Sequence, residues 1–166
     1  LEIDYFGLEV AIFGGRPWIK DATFTPGPEL TSRRQNPGAV LIGRSVVLFG
    51  GWDGHRALNT TEVCDLATMV FRNGPNMLTA RYACGATTIP GKNRALVIGG
   101  RGADDNHLAT TEVFDLETMG MTQGPNMLSA RAFCAVVALD ARRVLVIGGQ
   151  NPTVLKSTEV LNLDTM

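Results

Sequence analysis

Leu96-Val97-Ile98-Gly99-Gly100 decides the reading of this chain, because it is the middle one of three near-copies. Val47-Leu48-Phe49-Gly50-Gly51 stands before it and Leu145-Val146-Ile147-Gly148-Gly149 after it, so Gly50, Gly99 and Gly148 are spaced by 49 positions each time. Other landmarks travel with it. Thr61-Glu62-Val63 returns as Thr111-Glu112-Val113 and Thr158-Glu159-Val160, and Gly74-Pro75-Asn76-Met77-Leu78 returns as Gly124-Pro125-Asn126-Met127-Leu128. Landmarks in fixed order at such a period describe an array of like units. Arrays mostly present extended binding surfaces, so any site is to be sought in the loops between units.

Within one unit the pattern is that of four short strands. Residues 82–88 are small and apolar and end in the turn Pro90-Gly91-Lys92-Asn93. Residues 95–98 form a continuous apolar run closed by a glycine pair, as a strand buried on both faces should. After a polar loop, Thr111-Glu112-Val113-Phe114-Asp115 alternates polar and apolar, and residues 119–122 form a short outer strand before Gly124-Pro125 turns the chain. No segment keeps helical apolar spacing over ten or more residues. The expected class is all-β, and a four-stranded sheet per unit is the blade of a β-propeller. Glycine lacks Cβ, so the doublets predict positive φ at the strand exit and a close approach by neighbouring backbone.

The glycine doublet after a β-branched strand, followed by a Thr-Glu-Val strand and an Asx/Thr turn, resembles the kelch repeat. The resemblance runs through the doublets at Gly50-Gly51, Gly99-Gly100 and Gly148-Gly149 and a fourth at Gly14-Gly15. Two positions depart from the family pattern. Cys64, Phe114 and Leu161 stand where a Tyr is usual, and Phe24, Phe71 and Met121 where a Trp is usual. All are apolar, so a packing role is expected to survive. The resemblance implies a partial kelch-type propeller of about three to four blades over residues 1–166. The blades are expected at 1–26 (incomplete), 37–73, 82–123 and 132–166 (incomplete). In the first, Gly14 to Gly27 spans 13 positions where Gly50 to Gly74 spans 24, so the Thr-Glu-Val strand has no room. Closed propellers need about 4–8 blades. Closure therefore calls for the remaining blades of a larger propeller or for a second copy.

Composition narrows the function. With 15 Lys and Arg against 16 Asp and Glu, net charge −1, there is no electrostatic footprint for nucleic acid. No apolar run approaches the ~18 residues of a membrane span. The opening Leu1-Glu2-Ile3-Asp4 has no basic-then-apolar signal pattern, and three cysteines are too few for a disulfide framework. A cytoplasmic protein is the expectation, with no nucleic-acid or membrane partner.

Antiparallel order places the loops after the second and fourth strands on one face. Arg16, Trp18, Trp52, His55, Arg56, Arg101, Asn106, His107 and Gln150 gather there, and Trp and Arg are the types that anchor interfaces. These are the candidate contacts for a protein or peptide partner. Arg34, Arg81 and Arg131 fall at matching places before the innermost strand. They read either as a guanidinium ring for a carboxylate or phosphate, or as ties between adjacent blades, and recurrence in register favours the ties. Cys84 and Cys134 also match in register, but the position before them is near Pro37, which cannot ligate a metal. No metal, cofactor or catalytic residue is expected. Copper radical oxidases share the kelch propeller, but their chemistry needs two Tyr, two His and a Cys at one metal. Here His55 and His107 lie in equivalent loops of different blades. The expected function is a protein-interaction or scaffold module in an intracellular assembly. The alternatives are a propeller enzyme of the copper radical oxidase or sugar-processing type, and a purely structural part of a large complex.

Overall fold

A computed structural model describes residues 23–165 of the chain. Gly14, Gly15, Arg16 and Trp18 lie outside the described residues, as does most of the expected first blade. The rest is β-structure, ending in one turn of 3-10 helix at Leu163–Thr165. Strands β1 (Gly38–Ile42), β2 (Ser45–Phe49), β3 (Thr61–Asp65) and β4 (Val70–Asn73) form a first antiparallel sheet in chain order. Strands β5 (Gly85–Ile89), β6 (Arg94–Ile98), β7 (Thr111–Asp115) and β8 (Gly120–Gln123) repeat it. The third sheet has three strands, β9 (Ala135–Ala138), β10 (Arg143–Ile147) and β11 (Thr158–Asn162).

Register is preserved between sheets. Phe49 pairs with Thr61, Ile98 with Thr111 and Ile147 with Thr158. The strands β1, β5 and β9 pack against one another across sheets, which makes them the inner edge. They are also stitched by backbone: Ala83 N–H donates to the Asn36 carbonyl and Phe133 N–H to the Ala83 carbonyl, each at 2.8 Å. Asn36, Ala83 and Phe133 all have φ near +50° (51°, 51° and 55°), a left-handed conformation uncommon outside glycine. That kink corrects one sequence expectation. The run 82–88 does not enter the sheet at Tyr82. Ala83 turns the chain, Tyr82 makes an isolated bridge to Arg101, and β5 begins at Gly85. The outer strand likewise starts at Gly120 rather than 119, because Met119 has φ +51° in the preceding turn.

The core lies between sheets. Phe49, Val47, Val40 and Ile42 of the first meet Ala95, Val97, Phe114 and Cys84 of the second. Phe49 and Phe114 touch edge to face, centroids 5.6 Å apart, the favoured aromatic geometry. Between the second and third sheets, the register equivalents Ile98, Leu96 and Ile89 meet Val144, Val146, Val136 and Leu161. Strand β6 therefore has neighbours on both faces, and Leu96, Val97 and Ile98 are all buried. Strand β10 has the same pattern but, among the described residues, a neighbouring sheet on one face. Val144 and Val146 are buried, while Ile147 is 39% exposed.

The doublets show why they are glycine. All six described ones have positive φ. A Cβ on Gly50 would sit 2.1 Å from the Arg81 carbonyl oxygen, and one on Gly99 2.3 Å from that of Arg131. The loop entering the next sheet rests directly on them. Phe71 and Met121 on the outer strands are partly buried, and Met121 packs against the first core. Phe24, their counterpart in sequence, corrects the packing expectation at that position: it is fully exposed.

Candidate functional site

Hydrogen bonding is the feature that repeats most faithfully. Arg81 leaves the first sheet with its N–H on the Leu58 carbonyl (3.0 Å) and its own carbonyl accepting from Gly51 N–H (2.9 Å). Its side chain then crosses into the second sheet. The NH1 group donates to the carbonyls of Gly99 (2.8 Å) and Thr110 (3.0 Å), and NH2 to the Glu112 carboxylate (2.7 Å). Arg131 does the same from the second sheet to the third, with Gly148, Ser157 and Glu159. Arg34 engages Gly50, Thr60 and Glu62. The guanidinium groups of Arg81 and Arg131 are buried within the chain's own network rather than turned to solvent.

The glutamate partners escaped the sequence reading, which treated Thr-Glu-Val as a strand with a wet face. Glu62 and Glu112 are buried polar residues. Each carboxylate also accepts two backbone N–H groups of the incoming loop: Thr31 and Ser32 at Glu62, Leu78 and Thr79 at Glu112. Glu159 takes Leu128 and Ser129 in the same way. Burial pushes the Glu62 carboxyl up, but the Thr31 bonds and the Arg34 charge outweigh it, and the group is held below its ordinary value. The signal available in the sequence was the recurrence of one Arg and one Glu, 28 or 31 positions apart, in each repeat.

The loops after β2, β6 and β10 form the mouth on one face. Trp52, Arg101 and Gln150 occupy the same station, each in isolated bridges to the strand entrance and back to its own loop. Trp52 leans on Tyr82 of the next sheet, ring centroids 5.3 Å apart. The Tyr82 hydroxyl donates to Asp105, which is also paired to Arg101 at 3.0 Å. Asp105 is held below the usual carboxylate range chiefly by that hydroxyl, and burial raises the Tyr82 phenol. The structure thus joins Trp52 and Arg101 through Tyr82 and Asp105, neither of which the sequence had marked as contacts. His107 bridges back to Arg101, and His107 Nε2 and Arg101 Nε are enclosed without a hydrogen-bond partner among the described residues. His55 and Arg56 are exposed at the tip of the first loop, where the Asp53 carboxylate accepts both their N–H groups. Asn106 lies in the second loop, its carbonyl accepting from Gly102 N–H, and Gln150 heads the third. Among the described residues the three loops do not merge into one cluster, and the Trp52–Tyr82–Asp105–Arg101 group is the part that joins two of them.

Among the described residues, no group of three or more His, Cys, Asp or Glu is placed to hold a metal ion. No described helix is long and apolar enough to cross a membrane. Cys64, Cys84 and Cys134 are free thiols, with Cys84 buried in the first core and pushed up to about 11 by that burial.

Repeated antiparallel sheets, of four, four and three strands among the described residues, packed face to face with their first strands innermost, make this a propeller-type repeat protein. The family model for the kelch motif matches residues 33–78, which are the first described sheet with the loop that follows it. The chain accordingly carries a kelch motif, and its second and third sheets repeat the matched one landmark by landmark. No curated protein matches it.

Proposed function

We propose that the chain is a binding module whose β2–β3, β6–β7 and β10–β11 loops receive a protein or peptide partner. Kelch repeats are commonly protein-interaction modules. The observation that carries the reading here is the Trp52–Tyr82–Asp105–Arg101 group. Two aromatic rings and a fixed charge pair sit at the rim of a rigid two-sheet junction. Such a group offers apolar area and oriented donors at little entropic cost, the usual make-up of an interface anchor. In this reading the module is not a catalyst and acts inside the cell, within a larger assembly. The test is a peptide-display selection on the chain, followed by affinity measurement on Trp52→Ala and Lys92→Ala, the latter in the β5–β6 turn on the opposite face. Loss of binding by Trp52→Ala alone supports the reading. Binders that ignore Trp52→Ala but are lost with Lys92→Ala overturn it.

A further inference from the structure

We infer, on the binding-module reading above, that the Trp52–Tyr82–Asp105–Arg101 group receives a cationic side chain of the partner, a lysine or an arginine. The internal repeat sets this group apart from the scaffold. Gln35, Tyr82 and Ala132 stand at one station, each bridged to the residue that follows a glycine doublet, which is Trp52, Arg101 and Gln150 in turn. The arginine and glutamate that hold the sheets together are the same at every described junction. At these two stations size and charge change from sheet to sheet. The fold therefore dictates no side chain there, and the aromatic pair between the first and second sheets calls for another reason, which contact with a partner supplies.

The rings are half-buried and held in place by backbone. They are inclined at 56°, centroids 5.3 Å apart. Tyr82 N–H donates to the Arg101 carbonyl at 3.0 Å, and the Tyr82 carbonyl accepts from Arg101 N–H at 2.8 Å. Trp52 makes the same two bonds with Gln35, each at 2.9 Å. Little freedom is left to lose on binding. An aromatic face carries the negative end of the ring quadrupole and attracts cations, Trp most strongly. The Tyr82 hydroxyl donates to the Asp105 carboxylate, which leaves that ring richer in electrons and its face a better seat for positive charge.

Charge around the rings has the complementary sign. The arginines of the two loops are already committed. Arg101 NH1 donates to both oxygens of Asp105, at 3.1 and 3.0 Å, and Arg56 stands 3.6 Å from Asp53. Residues 52–58 and 101–108 hold three aspartates, Asp53, Asp104 and Asp105, against these two arginines, so one carboxylate is left over. It is that of Asp104, which is exposed and unpaired among the described residues, and the Asp105 side chain beside it is 62% exposed. Asp105 is also fixed. It has φ +59°, in a turn closed by its own N–H on the Gly102 carbonyl (3.1 Å) and by Gly102 N–H on that of Asn106 (2.9 Å). A left-handed aspartate carries a small strain that the bonds around it maintain. An ammonium or guanidinium group laid on Trp52 and Tyr82 therefore meets a carboxylate already in position. An incoming carboxylate would face Asp104 and Asp105 and find Arg101 spent.

The experiment sequences the displayed peptides whose binding is lost with Trp52→Ala and kept with Lys92→Ala. They are expected to share a lysine or arginine at one position. Exchanging that residue for glutamine should weaken binding about tenfold in titration calorimetry, and the exchange is made in the peptide, so the fold of the chain is untouched. Asp104→Asn, at an exposed and unpaired side chain, should weaken the parent peptide and affect the glutamine peptide less. Added salt should lower the affinity of the parent in the same way. Trp52-dependent peptides that tolerate the exchange, or that carry Asp or Glu at the shared position and gain from Asp104→Asn, overturn the cationic anchor and leave the binding-module reading standing. Peptides that ignore Trp52→Ala but are lost with Lys92→Ala overturn both.

Discussion

The Arg81 guanidinium lies 2.7 Å from the Glu112 carboxylate of the second sheet, with both side chains shut off from solvent, yet the backbone of Arg81 is hydrogen-bonded to Gly51 and Leu58 in the loop between two strands of the first. One residue thus carries hydrogen bonds to two sheets. A buried pair is worth little against well-packed apolar replacements, but removing one partner strands the other. Arg81→Met should therefore cost about 3–5 kcal/mol, read as a lowered urea midpoint. Adding Glu112→Gln should return part of it, because the stranded charge is gone. Equal midpoints for the single and double variants would show that the ion pair is not the source of the loss.

Gly50 and Gly43 separate two penalties that glycine conceals. Both have positive φ, +61° and +56°, but a Cβ on Gly43 meets nothing within 4 Å, while on Gly50 it falls 2.1 Å from the Arg81 oxygen. Gly43→Ala should cost only the left-handed strain, about 1–2 kcal/mol. Gly50→Ala must also displace the inter-sheet loop and should be the more damaging by a clear margin in thermal denaturation.

Acid should release the latches. The Glu62 carboxyl is held below its ordinary 4.5, so its folded pKa is depressed. Its contribution to stability is full above that ordinary value and fades as pH falls through the folded one. Urea midpoints measured downward from neutral pH should fall for the wild type and fall less for Glu62→Gln. Parallel curves would assign the acid sensitivity to other carboxylates.

Alkali should act through Cys84. Burial raises this thiol from 9.0 to about 11, so the folded state favours the neutral form. The sign is opposite to that of Glu62: the contribution is intact below pH 9.0 and is lost as pH rises toward about 11. At mildly alkaline pH, iodoacetamide should modify exposed model thiols while sparing Cys84, which should react on unfolding in urea. Stoichiometric labelling of Cys84 in the folded chain, located by mass spectrometry, would count against its burial.

The sequence by itself determined the class, the period and the strand order. Gly99-Gly100 after Leu96-Val97-Ile98 requires a both-faces-buried strand with a left-handed exit, and short-range sterics are enough to say so. It could also set Arg81 and Arg131 in register, since structural contacts recur where the repeat recurs. It could not see that Glu62, Glu112 and Glu159 are the partners of Arg34, Arg81 and Arg131. The partners are 28 to 31 positions apart, each arginine in a loop and each glutamate on a strand, and a lone Glu in an alternating strand reads as solvated.

Tertiary structure alone decided which equivalent residues are buried. Ile98 and Ile147 have nearly the same neighbours in sequence, yet one is buried and the other 39% exposed. Burial is a property of the sheet packed outside the strand, not of the strand. The same holds for Tyr82 and Asp105, which became partners of Trp52 and Arg101 only when the left-handed turn at Ala83 set the start of one sheet beside the loop of another.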